Sequence, residues 1–87
     1  MKPPVYPAIL HPDKEWDGYW VEFPDLPGCV TQGKALEEAF LMAGDALDCW
    51  LCYAKELPKP TPLQKIEAEE GAFVLLVQPV TYKSEDT

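Results

Sequence analysis

Residues 17–33, DGYWVEFPDLPGCVTQG, spell out a strand, a rigid corner, a second strand and the approach to a helix. Asp17-Gly18 is a turn pair suited to the positive φ that a tight hairpin requires. From Tyr19 to Phe23 the residues alternate, with Tyr19, Val21 and Phe23 on one face and Trp20 and Glu22 on the other. Both faces carry an aromatic ring, so alternation leaves open which face is buried. Pro24 and Pro27 fix φ and lack a backbone donor, which keeps both out of a central ladder. Gly28 then lets the chain turn without a Cβ penalty. No residue here has the chemistry of a nucleophile or a metal cage. The segment builds a shape.

The flanking sequence extends this pattern. Val5 to His11 reads as a first strand, in which Pro7 asks for an edge position or a slightly later start. Pro12 to Gly18 is the hairpin loop, Tyr19 to Phe23 the second strand and Cys29 to Gln32 the third. From Lys34 to about Glu56 the spacing predicts a helix. Leu36, Ala39, Phe40, Ala43, Leu47, Trp50, Leu51 and Ala54 fall at i, i+3, i+4 and i+7 and form one stripe. At about 2 kcal/mol per large side chain, a sheet covering that stripe yields roughly 10 kcal/mol of gross burial. Glu37 and Glu38 suit the positive end of the helix dipole, and Lys55 suits the other end. Pro58 stops the helix, residues 58–71 form a loop, and Phe73 to Tyr82 is a long apolar strand. Pro79 marks an edge or a bulge beyond Gln78. The order β-β-β-α-β predicts a two-layer α+β sandwich, one long helix packed on a mostly antiparallel sheet. It forms one domain over residues 1–82, with a polar tail at 83–87.

Composition excludes several function classes. The 87 residues carry a formal net charge of −8 with seven Lys and no Arg, too little positive charge for a phosphate-binding surface. Such acidity suits a basic protein partner and equally serves solubility. MKPPVYPAIL lacks the apolar stretch and cleavage site of a signal peptide. The longest apolar run, Ala72 to Val77, is too short to span a bilayer. The expectation is a soluble cytoplasmic protein, with no membrane contact and three reduced thiols.

The candidate chemistry is sparse. Two-metal phosphoryl transfer needs several converging carboxylates, yet VYPAIL contains none. Nothing in the spacing of Asp13, Glu15, Asp17 and Glu22 forces them together, and solvated charge is the simpler reading. Cys49-x-x-Cys52 lacks a second pair to complete a zinc site, with only Cys29 and His11 available. It also sits well inside the helix, away from the N-terminal dipole that activates redox thiols. These are expected to be buried or interface thiols. No nucleophile is positioned with His11, which receives no role. The sequence predicts no enzyme, metal or cofactor.

One resemblance covers residues 5 to 80. A strand, then DGYWVEFPDLPGC, a helix start with Gly33, Glu37, Glu38 and Ala39, a Trp50-Leu51 pair, the Pro58-Lys59-Pro60 loop and a returning apolar strand together resemble the HicB-like antitoxin family. The resemblance implies a partial ribonuclease-H-like fold and a non-catalytic antitoxin. Its partner would be a small basic RNA-cleaving toxin of HicA type. Many members carry a DNA-binding segment after the last strand; only a few polar residues follow Tyr82, so operator DNA is not expected as a ligand. The family's helix start commonly has Asp and Thr where this chain has Lys34 and Ala35. Neither of those can cap the orphan amides, which leaves Gly33, Thr31 or water to do so.

For the partner surface, Trp20, Glu22 and Asp25 combine a large anchor with charges opposite to those of the expected toxin. The helix face opposite the stripe carries Leu41, Met42, Cys49, Cys52 and Tyr53 among Glu38, Asp45, Asp48 and Glu56, an apolar patch with an acidic rim. The last strand is apolar at both parities. A homo-oligomer, dimer or tetramer, is therefore expected through Leu41, Met42, Tyr53, Phe73 and Leu75. The alternative is an orphan oligomeric binding module with no toxin partner.

Overall fold

The computed structural model describes residues 4–79. Strands β1 (Tyr6–Asp13), β2 (Gly18–Glu22), β3 (Val30–Gly33) and β4 (Phe73–Val77) form one sheet, and α1 (Leu36–Tyr53) packs on one face. The strand order is β3-β2-β1-β4, with every pairing antiparallel. This is the two-layer α+β architecture that the order of elements predicts. The last strand stops at Val77, short of the expected Tyr82, since Gln78 and Pro79 are already outside it; the remainder of the expected strand and the polar tail lie outside the described residues.

The hairpin is tighter than the sequence suggests. β1 runs on to Asp13, which pairs with Gly18, so Pro12 belongs to the strand. Asp17 takes the positive φ, at 58°, and its N–H donates to the Asp13 carbonyl at 2.9 Å. The Asp13 carboxylate accepts from the Glu15 and Trp16 amides and closes the loop.

Pro7 lies in a central strand, where an edge was expected, and the hydrogen-bond parity explains how. Phe23 donates to the Cys29 carbonyl at 3.2 Å, so the odd residues of β2 bond β3 and the even ones bond β1. Carried across, this alternation makes Ile9, His11 and Asp13 bond β2, while Tyr6, Ala8 and Leu10 bond β4. The missing donor of Pro7 then faces the β2 side, where pairing stops at Ile9. That of Pro12 faces the β4 side, where pairing stops at Leu10. Neither proline breaks a ladder.

The corner FPDLPGC consists of two successive β-turns. Leu26 donates to the Phe23 carbonyl and Cys29 to the Leu26 carbonyl, both at 3.0 Å. Pro24 and Pro27 each occupy the second turn position, where their fixed φ is pre-set, and Gly28 follows Pro27 at φ 80°. Leu26, between the turns, is buried in the core.

Tyr19, Val21 and Phe23 face α1, joined there by Tyr6, Ala8, Leu10, Leu26, Cys29 and Val77 from the sheet side. Ala39, Ala43 and Leu47 are fully buried beneath the helix, and Trp50 and Leu51 border them. Three residues of the predicted stripe lie outside: Leu36 and Phe40 are both 43% exposed, and Ala54 is the C-cap, past the last helical residue. Leu36 opens the helix, and Phe40 is one residue round from Ala39, on the flank. Gly33 permits the close contact of β3 with α1, because a Cβ there would stand 2.4 Å from the Ala39 nitrogen.

Both helix ends fall inside the predicted bounds. Ala35 occupies the N-cap without a side-chain cap, and neither Gly33 nor Thr31 supplies one; the Glu38 carboxylate accepts instead from the Lys34 amide, just ahead of the helix, at 2.8 Å. The helix stops at Tyr53, so Lys55 lies beyond the last turn and does not complement the dipole.

Candidate partner-binding face

The sheet face away from α1 carries Pro7, Ile9 and His11 from β1, Trp20 and Glu22 from β2, and Val74 and Leu76 from β4. The segment 58–72 starts at the α1 side, reaches this face at Glu69, and is pinned at three points. Tyr6 donates its hydroxyl to the Pro58 carbonyl at 2.6 Å. The Asp25 carboxylate accepts from the Thr61 amide at 2.9 Å and from its hydroxyl at 2.5 Å. Glu69 meets His11 Nδ1 at 2.6 Å. This strap was legible only as a loop, because each pin joins residues far apart in sequence.

His11 is the residue that sequence reasoning left without a role, and it centres the face. Its Nε2 lies 2.6 Å from Glu22 Oε2, opposite the Glu69 contact, and the ring is only 7% exposed. Trp20 stacks on it, with ring centroids 4.0 Å apart and planes inclined by 13°. A signal for this pair existed: a hairpin closed at Asp13 and Gly18 sets His11 opposite Trp20.

Trp20 remains 37% exposed despite the stack. Of the three residues expected to meet a partner, Trp20 and Glu22 therefore stand together on one face. Asp25 lies at the corner with both carboxylate oxygens turned to Thr61. Burial raises the hydroxyl pKa of Tyr6, and the nearby charge of Asp25 adds to that.

The expected oligomer residues divide between two sites. Leu41, Met42 and Tyr53 project from α1, Tyr53 being 83% exposed. Phe73 and Leu75 instead pack against the core beneath α1 and are half-buried there. A groove of about 530 Å³ lies beside the double turn, lined by Cys29, Val30, Cys49, Trp50 and Tyr53 among others. The Trp50 indole donates to the Pro27 carbonyl at 3.0 Å and fixes one wall. Cys29 is buried, and burial, followed by the charge of Cys49, pushes its thiol up to about 11. Among the described residues no three His, Cys, Asp or Glu side chains converge to hold a metal. No described helix is long and apolar enough to cross a membrane.

Residues 6–81 match the model of the HicB_like antitoxin of bacterial toxin-antitoxin systems. The chain is 55% identical over 42 residues to antitoxin HicB 1 of Photorhabdus laumondii, covering 48% of this chain and 26% of that protein. It is 40% identical over 62 residues to antitoxin HicB of Escherichia coli K12, covering 67% and 44% respectively. It thus spans less than half the length of either curated relative. The fold superposes on the crystal structure of antitoxin HicB3 with a TM-score of 0.66 at 25% identity, over 93% of this chain and 67% of the other.

Proposed function

This chain belongs to the HicB-like antitoxin family, and on that premise we propose that it is the non-catalytic antitoxin of a toxin–antitoxin pair. It binds a small basic RNA-cleaving toxin of HicA type and covers the toxin's active surface. The observation that carries this reading is the pre-oriented Trp20. It is a large aromatic, partly exposed on the sheet face away from α1, held against His11 and flanked by the Glu22 carboxylate. Aromatic anchors of this kind dominate protein interfaces, and fixing the ring before contact lowers the entropic cost of binding. The net charge of −8 favours a basic partner and opposes direct contact with DNA phosphates. Glu22 supplies charge to the contact, and Asp25 acts through Thr61 by holding the strap in place. The expected setting is the cytoplasm.

The test is co-expression with a basic, toxin-sized protein encoded beside this chain. Co-purification and relief of growth arrest are expected. Trp20→Ala should weaken the complex by about 2 kcal/mol, roughly thirtyfold in Kd. Failure of the wild-type chain both to co-purify and to relieve arrest would sink the antitoxin reading. The second reading, an orphan oligomeric binding module, draws on the groove beside Trp50 and Tyr53. It predicts that filling the groove with Ala46→Phe disturbs ligand binding, while Trp20→Ala leaves it unchanged.

A further inference from the structure

We infer that β4 is a self-pairing edge: a second copy of this chain lays its own Phe73–Val77 antiparallel against it, joining two four-stranded sheets into one. β4 closes one side of the sheet order, and its ladder to β1 uses the backbone groups of Phe73, Leu75 and Val77. This follows from the parity that Phe23 and Cys29 set. The N–H and C=O of Val74 and Leu76 therefore point away from β1, and among the described residues no strand receives them.

Edges of this kind are normally blunted by Lys, Pro, a bulge or a covering element. FVLLV contains no charge and no proline. The helix gives little cover here, because α1 lies chiefly over β3 and β2 and leaves Phe73 and Leu75 half-buried. On the other face Leu76 is 51% exposed.

The occupant follows from charge and symmetry. Two copies at −8 repel one another except where they meet through an uncharged surface, and β4 is uncharged along its whole length. A basic partner would find no carboxylate on these five residues. The outward groups are also arranged symmetrically about Leu75. A two-fold axis there sets Val74 opposite the second copy's Leu76, and Leu76 opposite its Val74. Each of these pairs exchanges two hydrogen bonds. Leu75 meets its own copy on the helix side, and Val74 meets Leu76 on the strap side. The expected oligomer contact at Phe73 and Leu75 is thereby relocated: the outward-pointing amides of Val74 and Leu76 carry the pairing, and Leu75 lies on its axis. The inference is independent of the toxin reading.

The test combines light scattering over a concentration series with amide exchange of the full chain. A dimer is expected whose Val74 and Leu76 amides exchange at least tenfold more slowly at high concentration than at low. Val74→Pro removes one outward donor and leaves the β1 ladder intact, so it should shift the mass to monomer while circular dichroism keeps the folded signature. If that variant fails to fold, Leu76→Lys, which places a charge against the second copy's Val74, should give the same shift. A wild-type chain that stays monomeric throughout overturns the inference. So does a dimer in which those two amides exchange freely, or one that folded Val74→Pro or Leu76→Lys leaves unchanged.

Discussion

Cys29 is chemically silenced by its position. With its thiol pushed from 9.0 to about 11, it holds about a hundredfold less thiolate at neutral pH than an ordinary cysteine. Alkylation followed by mass spectrometry should modify the exposed Cys49 and Cys52 quickly and Cys29 only slowly. The same shift has a consequence for stability. Cys29 and Tyr6 both have raised values in the folded chain, so folding favours their protonated forms. The contribution from Cys29 is whole below pH 9 and disappears as pH climbs towards 11. Chemical denaturation should give a flat stability up to about pH 9 and a falling one above it, with a shallower fall in Cys29→Ala. Close packing sets two further residue effects. Leu47 is fully buried, and Leu47→Ala should cost about 3 kcal/mol in the denaturation midpoint analysis. Gly33→Ala drives a methyl into the backbone of Ala39 and should cost about 1–3 kcal/mol.

The strap is an element held by side chains more than by its own ladder. Asp25→Ala removes both acceptors of Thr61, so amide exchange across residues 58–69 should accelerate while β1 and β2 stay protected. The contrast between strap and hairpin also explains what could be read in advance. The turn pair, the prolines of the corner and the apolar stripe act over a few residues, and each lies where its local chemistry puts it. Trp20 and Glu22 share a face for the same reason. His11, Glu22 and Glu69 meet only because the chain passes under the sheet, and spacing cannot encode that crossing. The place of Pro7 in a central strand was hidden likewise, since an edge can begin partway along a strand. The helix is shorter at both ends than the predicted range, because it starts after an Ala35 that has no capping side chain and stops at Tyr53, before Lys55.

At the scale of the whole molecule the net charge governs encounter before contact. Association with a basic toxin should slow by at least tenfold between about 50 and 500 mM salt in stopped-flow measurements, with a smaller change in dissociation. The strand order carries another consequence, for the order of events in time. Among the described strands β4 comes last in sequence yet pairs with β1, which comes first. The pins of the strap span 36, 52 and 58 residues. Such distant pairings make for slow folding, because the chain must close long loops before any contact rewards it. During synthesis the hairpin, the corner and α1 emerge from the ribosome while β1 still lacks its second neighbour. A nascent chain is thus left with an open flank until Phe73–Val77 arrive, and in that interval it is most vulnerable to proteases and to pairing with the wrong strand.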